Sequence, residues 1–272
     1  MRPLGLRNYQ RRQRLRVKAI VSDIHANLAA WDAVAKDIKS HGISDIISLG
    51  DLVGYGPEPV EIIDVAMDFR VNLMGNHDEA VVFEPVGFNY RALTAIRWTK
   101  KLMEPGFFGL KNKKRMSFLK ALKLTHREDG CLFVHGSPRE PTTEYILRGD
   151  CDNAQSGYPE AVEKMKQIFS AIDSVCIVGH THIPCVMGED FSYRSDRDLG
   201  YEFTVEKGKK FVLNVGSVGQ PRDGDTRACY VIWDGPKFIW RRIEYDVKKT
   251  VALIRAIKEI DSYNADRLEK GQ

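Results

Sequence analysis

The feature that most constrains this chain is an apolar run with β-branched residues that stops abruptly in an acid and an imidazole, Ala19-Ile20-Val21-Ser22-Asp23-Ile24-His25. In an extended chain, residues i and i+2 point to the same side, so Asp23 and His25 are expected to aim an oxygen and a nitrogen at one point. One Asp-x-His pair proves little, because such pairs arise often by chance. The same design recurs, however. Ile46 to Gly50 runs into Asp51, Val71 to Gly75 into Asn76-His77-Asp78, Cys131 to Val134 into His135, and Val175 to Gly179 into His180-Thr181-His182. Each is a buried-strand pattern that delivers metal-capable side chains at its C-terminal end, where open α/β sheets place their sites. Five of the seven histidines lie at these ends, which scatter would not produce.

Between the strand patterns the periodicity turns helical. Leu28, Trp31, Val34, Ala35 and Ile38 fall on one face, with His41-Gly42 as a stop, and Pro59 opens a second helix through Val60, Ile63 and Met67. This β-α-β-α-β order predicts a parallel sheet with right-handed crossovers. Residues 79–130 break the rhythm. Helices around Leu93, Ile96 and Leu102 and around Met116, Leu119 and Leu122, joined through Pro105-Gly106, read as a helical insertion beside the site. An irregular stretch to about Tyr158 is expected after His135. A helix through Val162, Met165, Ile168, Phe169 and Ile172 follows it. From Ile183 onward short strands separated by turns have the character of an antiparallel meander, and Asp246 is placed to cap a closing helix. The expectation is α/β: one domain over 17–272, built as a four-layer α-β-β-α sandwich of two packed mixed sheets flanked by helices.

Composition narrows the function classes. Of the 41 basic residues, seven lie in residues 1–18 with no acid among them, which leaves 34 basic against 37 acidic in a mildly acidic body. Residues 1–16 read as a basic arm, a solvated tail in preference to a nucleic-acid contact. Five cysteines, odd in number and without CxxC spacing, do not make a disulfide framework. No apolar run approaches the ~20 residues that a membrane span needs, and no h-region follows the basic leader. The cytoplasm is the expected compartment.

Gathered together, the candidates are Asp23, His25, Asp51, Asn76, His135, His180 and His182. Two carboxylates, four imidazoles and an amide oxygen are too many for one ion and suit two that share a carboxylate. Such pairs lie roughly 3.5–4 Å apart and clamp the attacking and leaving oxygens of an in-line displacement. The oxygen and nitrogen set without thiolate suits manganese, iron or zinc and disfavours calcium. Two divalent cations against Asp23 and Asp51 leave roughly +2 in the pocket, which attracts phosphate esters; a bridging water there has its pKa lowered to about 7.

These motifs resemble the ordered set of the calcineurin-like metallophosphoesterases: DxH (Asp23, His25), GD (Gly50, Asp51), GNHD (Gly75 to Asp78), VHG (Val134 to Gly136) and GHTH (Gly179 to His182). The resemblance implies that Asp23, His25, Asp51 and His182 hold one metal and that Asp51, Asn76, His135 and His180 hold the other. It implies a metal-bridging hydroxide as nucleophile. It also implies that His77 faces the leaving group, as proton donor or transition-state stabiliser, with Asp78 orienting it. The chain further resembles a smaller bacterial branch related to diadenosine polyphosphate hydrolases and small phosphodiesterases. That likeness is carried by Gly50 to Pro57, by Phe88-Asn89-Tyr90 to Trp98-Thr99 and by Asn214 to Arg222. Asn76, Asn89, Tyr90 and Arg222 are the candidate substrate contacts, against a structural cap for Asn89 and Tyr90 and a surface ion pair for Arg222. Gly216 to Gly219 offers either amides to a phosphate or a tight strand-end turn. The expected activity is a metal-dependent phosphoesterase on small phosphodiesters or nucleotide-type substrates. The alternatives are a protein phosphatase and a non-catalytic metal-binding or RNA-interacting scaffold.

Overall fold

The computed structural model describes residues 17–104 and 109–272, so the basic arm and the Pro105-Gly106 connection lie outside the described residues. In chain order the first half runs β1 Lys18–Val21, α1 Leu28–Ser40, β2 Asp45–Ser48, α2 Pro59–Ala66, β3 Val71–Asn72, α3 Asn76–Val82, α4 Tyr90–Leu102, α5 Gly109–Lys120, β4 Thr125–Glu128 and β5 Cys131–Val134. The second half runs α6 Arg148–Gln155, α7 Pro159–Ser170, β6 Val175–Val178, β7 Cys185–Gly188, β8 Tyr193–Ser195, β9 Glu202–Thr204, β10 Phe211–Asn214, β11 Ala228–Asp234, β12 Lys237–Ile243, α8 Val247–Ala256 and α9 Tyr263–Leu268.

Two six-stranded mixed sheets form, in the orders β3-β2-β1-β11-β12-β9 and β4-β5-β6-β10-β7-β8. Strand alternation sorts the side chains into layers. Ile20, Ile47, Phe133, Ile177, Leu213 and Trp233 meet in the core between the sheets. Ala19 and Val21 turn outward onto Trp31, Val34 and Ile38 of α1 and Ile62 and Ile63 of α2. On the other side Leu132, Val134, Cys176 and Val178 pack on Met165, Ile168 and Phe169 of α7. The four-layer sandwich is as expected, and β1, β2 and β3 pair in parallel.

Three local expectations are corrected. The strands after Ile183 do not form one meander: β7 and β8 extend the second sheet, β10 returns parallel to β6, and β9, β11 and β12 complete the first. Local alternation cannot reveal which sheet a strand joins. The helical insertion ends in β4, which pairs antiparallel with β5 at the edge of the second sheet. The irregular stretch before Tyr158 contains α6, whose polar sequence shows little periodicity; Asp150 caps it by accepting from the Leu147 N–H at 2.7 Å.

Candidate metal centre

The site lies where β1, β2, β5 and β6 run out at their C-terminal ends. The chain does not stay extended there. Asp23, His25, Asp51, His180 and His182 have φ of 54°, 48°, 52°, 63° and 63°. This is the left-handed region, uncommon for residues with a Cβ and costly by on the order of 1–3 kcal/mol each. Asp23 and His25 therefore converge by a twisted backbone and not by the strand alternation expected of them. The twisted segments are held by one another. Asp23 N–H donates to Gly50 O at 3.0 Å, His25 N–H to Asp51 O at 3.0 Å and Gly219 N–H to Asp23 O at 2.9 Å. The two sheets are joined directly when His180 N–H donates to the Asp23 carboxylate at 3.1 Å. The approach is close enough to require glycine. A Cβ on Gly75 would sit 2.1 Å from Asp51 Oδ1 and 2.3 Å from its backbone nitrogen, and one on Gly179 2.0 Å from Ser22 Oγ.

The Asp and His candidates are at most 3% exposed. Among the described residues, Asp23, His25, Asp51 and His182 offer ligand atoms all within 4.8 Å of one another, and so do Asp51, His135 and His180. Asp51 belongs to both groups. Asn76 Oδ1 joins the second group, 3.2 Å from His135 Nε2.

The ring nitrogens settle what this cluster needs. His25 Nδ1 donates to Val53 O at 3.0 Å and His182 Nδ1 to Gln220 O at 2.5 Å. Each neutral ring therefore keeps its lone pair on Nε2, and these two atoms face each other at 3.1 Å. Asp23 Oδ1 lies 3.1 Å from His182 Nε2 and Asp51 Oδ2 3.5 Å from His25 Nε2. Both carboxylate oxygens are buried without a hydrogen-bond partner. Likewise His180 Nε2 donates to Thr143 O at 3.1 Å, leaving Nδ1 toward His135 Nε2, also at 3.1 Å. Lone pairs of His25, His182 and His180 aimed at two points suit cations, and backbone carbonyls behind these three imidazoles are the usual means of fixing metal-binding tautomers.

Charge agrees with geometry. Burial holds His25 and His182 well toward the neutral form and takes His180 down to about 3. His135 is the exception: burial opposes its charge, yet Asp51 pushes it up to about 9. The carboxylates of Asp23 and Asp51 stay ionised despite burial because the imidazoles around them favour the charge.

His77 lies beside the cluster, its ring 4.9 Å from that of His25 and 4.4 Å from that of Tyr55. The His77 backbone N–H donates to Asp51 Oδ1 at 2.8 Å. Burial lowers the imidazole to about 4. The expectation that Asp78 orients this ring is corrected. Asp78 accepts the backbone N–H groups of Leu52, Val53 and Gly75 at 2.9, 3.2 and 3.1 Å, so it braces the loop that carries Asp51. The His77 ring is held instead by the rings of Tyr55 and Phe88 and by the bare Cα of Gly54.

A cavity of about 220 Å³ opens over the cluster. Asn76, Asn89 and Arg222 line it. Asn89 Oδ1 is already used to cap α4 through the Ala92 N–H at 3.0 Å. Tyr90 does not line it; as the first residue of α4 it points outward and is 73% exposed. Arg222 makes no ion pair among the described residues; one Nη donates to Gln220 Oε1 at 2.8 Å, and its Nε is buried without a partner. The 216–219 segment is a strand-end turn with three of its four amides spent: Gly216 N–H donates to Asn214 Oδ1, Val218 N–H to Ser22 O and Gly219 N–H to Asp23 O. Sequence reasoning missed Tyr145 and Thr143, which line the cavity from the connection after β5 and carry no motif. Tyr55 was visible only inside the glycine- and proline-rich loop.

A family model described as the calcineurin-like phosphoesterase superfamily domain matches residues 17–235. An uncharacterized protein of Methanocaldococcus jannaschii is 36% identical over 241 residues, covering 85% of this chain and 88% of its relative. The crystal structure of a metallophosphoesterase from Sphaerobacter thermophilus superposes with a TM-score of 0.77 at 32% identity, covering 94% of this chain and 99% of that one. A hypothetical protein from Pyrococcus horikoshii superposes at 0.67 and 19% identity, covering 94% and 98%, a likeness of fold.

Proposed function

The chain belongs to the calcineurin-like phosphoesterase superfamily, and from that premise we propose that it hydrolyses small phosphodiesters or nucleotide-type phosphate esters at a centre of two divalent metal ions. The observation that carries the reading is the pair of donor groups sharing Asp51, with ring nitrogens facing one another across each. Asp23, His25, Asp51 and His182 would hold one ion, and Asp51, Asn76, His135 and His180 the other. The donor set suits manganese, iron or zinc. When bound, the ions would supply Lewis acidity and lower the pKa of the attacking water.

The chain's own groups do the rest. Arg222, which makes no ion pair among the described residues and lines the cavity, binds a phosphoryl oxygen with its planar fork. His77 stabilises charge on the departing oxygen from a ring kept in place by Tyr55 and Phe88. Asp78 fixes the backbone just after Asp51, at Leu52 and Val53, which keeps the shared carboxylate in register. The cavity is below the roughly 300–1,000 Å³ of pockets for drug-sized ligands, which favours a small ester.

Purified protein freed of metal and reloaded with manganese should turn over bis(p-nitrophenyl) phosphate, lose that activity to a chelator and regain it on reloading. Absence of turnover with manganese, iron and zinc alike would leave a metal-binding scaffold. Turnover of phosphopeptides alone would make the protein a protein phosphatase.

A further inference from the structure

One ring at the mouth of the cavity has no part in the chemistry above. Tyr145 stacks on His180 with ring centroids 3.8 Å apart and planes inclined by 22°. It remains 43% exposed and lines the cavity with His180 and Arg222. One face of the ring is thus spent on a proposed metal ligand, and the remainder of the side chain is open to whatever enters.

The backbone that carries the ring is tied down. The Tyr145 carbonyl accepts from Lys164 Nζ at 2.8 Å, and the next residue, Ile146, is buried against α7. On its other side Glu144 is gripped by Ser137 Oγ and lies 3.5 Å from Arg139. Gly136 N–H closes the turn onto Pro141 O at 2.6 Å. A large aromatic side chain carried on a backbone tied this firmly, and left half open, presents a preformed surface at little entropic cost.

We propose that Tyr145 is a specificity-determining platform, and that the substrate is a phosphate ester bearing a planar aromatic group, such as a nucleobase, that stacks on this ring. The proposal rests on the phosphoesterase reading and goes further by naming what the ester carries. Because Tyr145 lies one stacking distance above His180, a group on its open face is two stacking distances from that ligand. A sugar-sized spacer then brings a phosphoryl group to Arg222 and the Asp/His cluster. Val86 and Phe88 also line the cavity and give it apolar surface, which suits the edge of such a group better than a charged one.

The test is calorimetric titration of the manganese-loaded protein with adenosine 5′-monophosphate and with ribose 5-phosphate, which share the phosphate and the sugar and differ in the base. Stacking of a base on an aromatic side chain predicts at least a tenfold preference for the nucleotide, toward the lower end of the usual range. Tyr145→Phe should keep that preference. Tyr145→Met still covers His180 but has no aromatic face, and it should bring the ratio close to one with metal content unchanged. Equal affinity of the wild type for the two ligands, binding of neither, or a preference that survives in Tyr145→Met would each overturn the proposal. Hydrolysis of bis(p-nitrophenyl) phosphate by the same preparation reports separately on the phosphoesterase reading.

Discussion

At His77 the neighbours decide between two roles. A proton donor needs a partner that resupplies the proton, and none stands behind this ring: its Nδ1 is buried without a hydrogen bond, and Asp78 is occupied by three backbone N–H groups. On the proposed reading the side chain stabilises charge. His77→Ala should lower kcat on the order of 10²-fold, the usual loss of one donor to a developing oxyanion, and to a similar degree for a nitrophenyl and an alkyl leaving group. A much larger loss for the alkyl ester would show that His77 delivers a proton. Residue identities at this site were legible in the sequence, because Asp and His at the ends of apolar runs need explaining wherever they fall. Their conformation was not. Strand alternation predicts an extended path for Asp23 and His25, whereas both lie near φ of +50°. Tertiary hydrogen bonds, among them those to Gly50 O and Asp51 O, hold them there.

The elements are positioned by close backbone approach as much as by side-chain packing. Gly75, between β3 and α3, lies against the backbone nitrogen of Asp51, so an added methyl group cannot be absorbed by rotating a side chain. Gly75→Ala should destabilise the fold by about 1–3 kcal/mol, the range for overpacking, and should lower metal affinity at the same time. Unchanged thermal stability would contradict the proximity described. Elements with strong periodicity were legible: α1 and α7 bury most of the faces that their spacing indicates, whereas α2 buries Ile62, Ile63 and Ala66 and leaves Val60 and Met67 partly buried; Asp246 caps α8 by accepting from the Lys249 N–H at 3.0 Å. Those with weak local signals were not. The sequence of α6 is mostly polar, α9 is six residues long, and β8 has three residues of intermediate burial. Each is specified by what it docks against. The choice of sheet for β9 to β12 is likewise a matter of long-range pairing that local alternation cannot encode.

Across the whole molecule the site exists because two sheets meet. Asp23, His25 and Asp51 come from the ends of strands in the first sheet, and His135, His180 and His182 from the ends of strands in the second. The core of Ile20, Ile47, Phe133, Ile177 and Leu213 holds those ends in register. The parallel start of the first sheet was readable from the β-α-β-α-β order; the second sheet's contribution was readable only through the repeated motif, since no local pattern tells one sheet to face another. Asp51 is the point at which the two contributions join, 3.5 Å from His25 Nε2 and 3.4 Å from His135 Nε2. Metal content by mass spectrometry, for the wild type and for Asp51→Asn, His25→Ala and His135→Ala, tests that junction directly. A shared carboxylate predicts about two equivalents per chain in the wild type, about one in each histidine variant and almost none in Asp51→Asn. A single equivalent in the wild type, or an Asp51→Asn protein that keeps as much metal as His25→Ala, would contradict it.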